Sequence, residues 1–466
     1  MKAYITSLAL IVCLVGEVSA QQYPLEQNWT IVQSPSPSTI RNMLRGVAAI
    51  STNDVWAVGV HDVQVGSQTQ WRTLIEHYNG LTWSVVSSPN PGSQYNDLWS
   101  VTAAGTNDVW AVGFSAGIPA TPQPLALRWN GTQWNVVPTP TFTGGSDLYD
   151  VAIVGPNDVW VVGDRAVGAP GPTIGTLALH WSGSQWQEVP TPNVGDRSNF
   201  LNALGVVSQN NIWAVGYYKN VGDVFRSLIG HWDGSSWSVV AGPILGDQTF
   251  LYDVTVVSSN DVWAVGLYNN GGTDVPYSLH WDGSSWSVVN NPGGGSGIAK
   301  ASSVDMWSVG TCISHWDGSA WTLVSSPLPP GGNLLSVFTI SSAESWAVGR
   351  YPGSNGYLET MTMRYDAPTS VGGDGSMIAS SFRLDQNYPN PFNPSTTIRF
   401  QIPQPGLVSL KVFDVLGREV ASLVNEPKEP GSYSVRWDAT TAGSGTYFAR
   451  LESNGRHEIR KMLLMK

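Results

Sequence analysis

One phrase written seven times constrains this chain more than any other feature. "STNDVWAVG" begins at Ser51 and returns as "GTNDVWAVG" from Gly105, "GPNDVWVVG" from Gly155, "SQNNIWAVG" from Ser208 and "SSNDVWAVG" from Ser258. Shorter versions follow, "SVDMWSVG" from Ser303 and "SAESWAVG" from Ser342. The phrase tryptophans, Trp56, Trp110, Trp160, Trp213, Trp263, Trp307 and Trp346, recur at intervals of 54, 50, 53, 50, 44 and 39 residues. A repeat of this length is one supersecondary unit that buries its apolar face only by stacking on its neighbours. The intervals suit four-stranded propeller blades. The fifth repeat divides naturally into "FLYDVTVVS", "DVWAVGLY", "PYSLHW" and "SWSVVNN". Apolar alternation and β-branched residues mark the strands, and Asn-Asp and Asp-Gly-Ser-Ser mark the turns.

A second signature accompanies each phrase. "HWDGSSW" occurs from His231 and from His280, with variants "HYNGLTW" from His77, "RWNGTQW" from Arg128, "HWSGSQW" from His180 and "HWDGSAW" from His315. Asp-Gly and Asn-Gly favour tight hairpins because they tolerate positive φ. The last unit ends in "MRYDAPTS" from Met363 and lacks its tryptophan strand. The missing strand stands at the start of the chain, where "NWTIVQSPSP" from Asn28 matches "TWSVVSSPNP" from Thr82. The expected fold is therefore all-β: a seven-bladed β-propeller over residues 21–367, closed by the N-terminal strand so that no sheet edge is left open. All tryptophans except Trp71, Trp99 and Trp437 lie in the repeated motifs or the closing strand. Blade packing accounts for them, since each buried aromatic removes roughly 150–250 Å² from water; an aromatic binding ladder is the functional rival.

The blade pattern resembles that of kelch-like propellers, with Gly ending the second strand and an aromatic followed by Trp across the outer hairpin. Kelch blades carry a Gly-Gly pair and a longer aromatic-to-Trp spacing. This chain has neither, so the resemblance implies the architecture and no functional residue.

Residues 1–20 read as a signal peptide. Lys2 supplies the positive charge, "ITSLALIVCLVG" is a short apolar stretch, and "VSA" ends at Ala20 before Gln21. A lipoprotein reading at Cys13 meets a bulky Val12 where a small residue is needed. No later stretch is long and apolar enough for a transmembrane segment in the mature chain. Cleavage leaves Cys312 as the remaining cysteine, so no disulfide framework is expected. With 23 basic against 34 acidic residues the net charge is −11, which argues against nucleic acid or an anionic membrane as partner.

In a propeller, the turns joining strands 1–2 and 3–4 share one face, and the connections 2–3 and 4–1 share the other. The first face carries short, uniform turns. The second carries long, dissimilar connections such as "VHDVQVGSQTQWRT" after Gly59, "YYKNVGDVFRS" after Gly216 and "LYNNGGTDVPYS" after Gly266. Variable connections on a rigid scaffold are where recognition resides. The candidate ligand-binding residues there are Trp71, Arg72, Tyr95, Arg165, Arg197, Tyr217, Tyr218, Tyr268, Asn269, Tyr277 and Tyr351. Asp164, Asp196, Lys219, Asn270 and Arg350 join them. Such residues suit sugar or peptide contact, and equally a plain solvated loop.

Near the axis the innermost strands offer Arg45, Asp150 and Asp253. Asp150 and Asp253 are the candidate catalytic carboxylates, because a carboxylate pair serves glycoside hydrolysis; structural caps are the competing role. The histidines His77, His180, His231, His280 and His315 belong to different blades and do not converge on one metal ion. The Asp of "NDVW" invites calcium, with hairpin capping the simpler role. No CxxC, HExxH, Walker A or GxSxG motif occurs, and no cofactor is expected. "NGT" from Asn130 has the form of a glycosylation acceptor.

After Ala367 the style changes. Residues 368–382 form a Gly/Ser-rich linker, and 383–466 read as a small antiparallel β-sandwich. "NYPNPFNPSTTI" from Asn387, "VFDVLGREV" from Val412, "GSYSVRWD" from Gly431, "SGTYFARL" from Ser444 and the basic "RKMLLMK" from Arg460 appear in order. These residues resemble the type A C-terminal sorting domain of type IX secretion substrates. The carried positions are Asn387, Tyr388, Pro389, Asn390, Pro391, Phe392, Gly417, Trp437, Lys461 and Lys466, while Phe413 stands where that family often has Tyr. The resemblance implies recognition by the type IX secretion machinery and release or attachment at the cell surface. The expectation for the whole is a secreted or surface propeller that binds polysaccharide or protein through its long-connection face. The rivals are an extracellular carbohydrate-active enzyme, a glycoside hydrolase or lyase with its site at the axis, and a purely structural surface protein.

Overall fold

The computed structural model describes residues 29–168, 174–367, 382–384, 387, 390–429 and 431–465. The expected signal peptide and nearly all of the linker lie outside the described residues, as do Tyr388, Pro389 and Lys466. Two compact units divide the chain, Met1–Pro368 and Thr369–Lys466.

Among the described residues, the first unit contains seven four-stranded antiparallel sheets. Two of them, the third and fourth, are also joined by one parallel pair, Ile174 with Ser198. Blade 1 shows the pattern: Asn42–Ser51 innermost, then Asp54–Val65, Gln68–Tyr78 and the short outer Trp83–Val85. The innermost strands touch one another in sequence, and Asn333–Ser341 of blade 7 meets Asn42–Ser51 of blade 1, which closes the ring. The outer strand of blade 7 is Trp29–Ile31, paired with Leu358–Asp366 in the register Trp29 with Tyr365.

The packing between blades explains why the phrase is repeated. Every phrase tryptophan lies against the two aromatic rings of the next blade's outer hairpin, at centroid distances of 4.6–6.1 Å. Trp56 meets Trp129 and Trp134, and so on around to Trp346, which meets Tyr78 and Trp83 of blade 1. At the closure Trp29 and Tyr365 receive Trp307.

The strand-three residue completes the unit. His77, His180, His280 and His315 each place Nε2 at 2.7–2.9 Å from the aspartate that opens the phrase, respectively Asp54, Asp158, Asp261 and Asp305. His231 does the same with Asn211, and Arg128 donates to both oxygens of Asp108. The aspartate expected to cap its hairpin backbone is thus a side-chain partner across the sheet. The turn itself is shaped by the glycine that follows Asp, Asn or Ser: Gly80, Gly131, Gly183, Gly234, Gly283 and Gly318 all adopt φ between 93° and 97°.

Gly at the end of the phrase has a different cause. A bulge in each innermost strand brings a carbonyl onto the phrase glycine. A Cβ at Gly113 would stand 1.9 Å from the Asp97 oxygen, and one at Gly59 would stand 2.0 Å from that of Met43. Only hydrogen fits there.

The long connections predicted on one face are largely strand. In blade 1 the second strand runs on to Val65 and the third begins at Gln68; in blade 5 the corresponding positions are Asn270 and Thr273. They are extended hairpins with tight tips. Cys312 is disulfide-bonded, and the chain's other cysteine, Cys13, lies outside the described residues. The expectation of a lone Cys312 applied to the chain after loss of residues 1–20.

The second unit has a three-stranded sheet, Arg383–Leu384, Ser395–Ile402 and Gly431–Asp438. Its four-stranded sheet runs Glu419–Lys428, Gly406–Asp414, Gly445–Ser453, Arg456–Leu464. Phe392, Phe400, Leu410, Trp437 and Leu451 share its core.

Candidate ligand site at the axial mouth

The bulges that exclude a side chain at the phrase glycine also re-aim one residue per innermost strand. Register shifts between Leu44 and Gly46, Leu98 and Ser100, Leu148 and Asp150, and Leu251 and Asp253 leave Arg45, Trp99, Tyr149 and Tyr252 unpaired in the ladder. Arg45, Trp99 and Tyr149 follow one another on blades 1 to 3, and Asn202 at the matching bulge of blade 4 stands between Tyr149 and Tyr252 of blade 5. The Arg45 guanidinium lies 3.8 Å from the Trp99 ring centroid, and Trp99 meets Tyr149 edge-on at 5.3 Å. Arg45 was legible in the sequence. Trp99, Tyr149 and Tyr252 were missed, although alignment of the seven innermost strands on the bulge would have placed all four at one position.

Charged groups flank this ring in an arc. Arg45 donates Nε and Nη2 to the two oxygens of Asp97, at 3.0 and 2.9 Å. Arg41 donates to Asp62 at 3.0 and 2.7 Å and covers the Trp71 ring at 4.4 Å. Burial raises the Asp62 carboxyl, against the pull of Arg41. Arg350 follows on blade 7. Burial, then Arg45 and Arg41, lower its pKa, and no carboxylate or hydrogen-bond partner meets it among the described residues.

At the other end of the arc, Asp147 and Asp164 stand directly opposite each other on adjacent strands. Tyr149 donates its hydroxyl to Asp164 Oδ2 at 2.8 Å. Both carboxyls are held well above the usual range, chiefly by burial. Asp97 adds to this at Asp147, and Asp147 adds to it at Asp164. Asp147 Oδ1 is buried without a hydrogen-bond partner.

Blades 4 and 5 continue the rim with aromatic rings: Tyr217 lies 4.8 Å from Phe200 and 5.2 Å from Phe250. On blades 1 and 2, Trp71 meets Tyr95 at 4.8 Å. Trp71, Tyr95 and Tyr217 are thus brought into contact with the arc or its rim, and all three are partly exposed.

The remaining candidates are dispersed. Arg72 donates to the Trp71 carbonyl and contacts Gln70. Arg165 pairs with Glu188 at 2.9 Å. Arg197 is exposed, and its backbone ties neighbouring strands. Tyr218 packs partly into the core of blades 3 and 4. Asn269 bonds Asp274 across a hairpin tip, and Tyr268 meets Tyr277 edge-on. Tyr277 is 2% exposed and belongs to the core, so it has no surface to offer a ligand. Tyr351 donates to Glu359.

Asp150 and Asp253 bind blades together. Asp150 accepts from the Ser100 hydroxyl at 2.6 Å, from its neighbour Val151 N–H at 2.8 Å and from Leu204 N–H of the following blade at 2.7 Å. Asp253 accepts from Val254 N–H and from Ile298 N–H of the following blade, both at 2.8 Å. Burial pushes their carboxyls up to about 6 and about 7. The histidines are committed to their own blades, and no group of three or more metal-ligating side chains occurs among the described residues.

In the second unit the two ends of the sorting motif form one structure. Asn390 donates to the Lys461 carbonyl at 3.3 Å and accepts from Leu463 N–H at 2.8 Å. Phe392 exchanges backbone bonds with Leu463 and Met465 and sets its ring against Trp437 at 5.4 Å. Pro391 lies between them after a cis bond. Asn387 is buried and donates to Thr396, and Gly417 at φ 75° closes the "VLGR" turn on Asp414.

Residues 386–465 match the family described as the secretion system C-terminal sorting domain. The chain thus carries a type IX sorting tail, which indicates export by that machinery and a propeller secreted or attached at the outer-membrane surface. No helix among the described residues is long and apolar enough to cross a membrane. No curated protein sequence matches the chain. Among solved structures it is similar to YCF48 bound to D1 peptide, at 17% identity over 75% of this chain and 99% of that one, with a TM-score of 0.49. A protein of unknown function from Dyadobacter fermentans DSM 18053 is similar at 9% identity over 73% and 98%, with a TM-score of 0.46. PorZ of Porphyromonas gingivalis, described as an essential surface component of the type-IX secretion system, is similar at 10% identity over 91% and 81%, with a TM-score of 0.30. Identities this low transfer no residue role.

Proposed function

We propose that this protein is an extracellular binding protein whose propeller engages a polysaccharide or protein at the axial mouth on the face of the extended hairpins. One observation carries the reading: side chains from blades 7 and 1 to 5 converge there as a chain of arginines, carboxyls and aromatic rings. Such convergence of polar groups on a rigid scaffold is the ordinary form of a recognition site. Binding is favoured over glycoside hydrolysis because Asp150 and Asp253 already commit their oxygens to backbone N–H groups of adjacent blades.

The test is binding of the purified secreted protein to glycan and peptide arrays, with bond cleavage recorded in the same wells. Binding without cleavage, weakened by Trp71→Ala or Tyr217→Ala in a folded protein, is the expected result. Cleavage lost in Asp150→Asn or Asp253→Asn would replace this reading with the enzymatic one.

A further inference from the structure

The charged arc is balanced in its middle and unbalanced at both ends. Arg41 with Asp62 and Arg45 with Asp97 are complete pairs, each held by two donated hydrogen bonds. On one side of them, Arg350 is half-buried beside two further arginines and has no partner among the described residues. On the other side, Asp147 Oδ1 is buried and unpaired, opposite a second carboxyl. Leaving a charged or polar group buried and unpaired is costly. A half-buried arginine without a partner at one end and a buried, unpaired carboxyl oxygen at the other, with satisfied pairs between them, form an incomplete network.

Resting on the binding reading above, we infer that the ligand is a peptide segment of a protein partner that presents a carboxylate to Arg350 and an ammonium or guanidinium group to Asp147. The rings on the basic side argue for peptide over sugar. Trp71 is engaged by Arg41 and Tyr95, and Trp99 by Arg45 and Tyr149. On the basic side the ring faces of Trp71 and Trp99 are therefore taken by arginines, whereas the charged ends await partners. Charge complementarity of this kind sets partner choice and register.

The test uses the full secreted protein and synthetic twelve-residue peptides carrying one Glu and one Lys, two to six residues apart in a neutral background. Glu→Gln and Lys→Gln analogues accompany them, with a polyuronate, a neutral glucan and a polysaccharide carrying both amino and carboxylate groups. The expected result is that at least one spacing binds, and that each analogue binds about tenfold more weakly. Arg350→Gln should erase the preference for Glu over Gln and keep that for Lys, Asp147→Asn should do the reverse, and Arg350→Lys should retain both. Circular dichroism checks folding of each variant. Peptides that bind no better than their analogues, or preferences that persist in the variants, overturn the inference. Polysaccharide binding without peptide binding overturns it and leaves the mouth as a binding site; no binding of either kind removes both readings.

Discussion

At the residue scale the clearest cost in the propeller is Glu76. It is 0% exposed, on the third strand of blade 1, and neither carboxyl oxygen meets a donor in hydrogen-bonding geometry. Burial pushes its pKa up to about 8 from an ordinary 4.5, with the Ser34 hydroxyl opposing in part. A raised acid binds its proton more tightly in the folded state, so its penalty is absent below about 4.5 and grows as pH rises toward 8. Above that value the charged form is disfavoured by several kcal/mol, on the order of 1.4 kcal/mol for each pH unit that separates the folded from the unfolded value. Glu76→Gln should therefore flatten the fall in melting temperature between pH 5 and 9 and raise it at pH 9. An unchanged pH profile in the variant would show that another group sets it. Residues like Glu76 were not legible in the sequence. Nothing local distinguishes it from a solvated strand glutamate; the neighbouring blade and the closing segment bury it. His77 was legible as a recurring residue but not as the partner of Asp54, because that contact crosses the sheet between residues 23 apart.

At the element scale, the phrase, the Asp-Gly hairpin and the split last blade were all visible in the sequence, because each leaves a local mark that repeats. The extended hairpins were misread as loops, since "HDVQVGSQTQW" has polar residues where a strand projecting beyond the core needs no apolar face. The bulge was invisible for a related reason: it is a matter of register between two strands. Its consequence is testable. Gly113→Ala would force a Cβ against the Asp97 carbonyl at 1.9 Å, a backbone contact that cannot yield cheaply. The expected loss is about 3 kcal/mol or more, in the range of severe core defects, measured by denaturant unfolding. Gly105→Ala, where a Cβ meets nothing within 4 Å, is the matched control and should change stability by less than about 1 kcal/mol. Since Asp97 holds Arg45, Gly113→Ala should also disturb the arc, and a variant equal in stability to its control would sink the bulge argument.

At the scale of the whole molecule, closure joins residues more than three hundred positions apart, as Thr30 and Arg364 show at a separation of 334. The seven blades pass the same interaction from one to the next, each phrase tryptophan seated in the following hairpin. A ring with such contacts has no first or last blade, provided that Trp29–Ile31 is in place. Remove that strand and Trp307 loses both an aromatic neighbour and its cover, while the Leu358–Asp366 strand becomes an open edge. Trp29 is 1% exposed, so Trp29→Ala should cost the propeller about 3–5 kcal/mol, as large-to-small core changes do. The sorting unit supplies the internal reference, because its core contains none of these residues. Calorimetry of the full chain should show the propeller transition lowered in Trp29→Ala with the sorting-unit transition unmoved, and the opposite in Trp437→Ala. If Trp29→Ala left the propeller transition where it was, the ring would derive its stability from the blades individually, and closure by the N-terminal strand would be a passive seam.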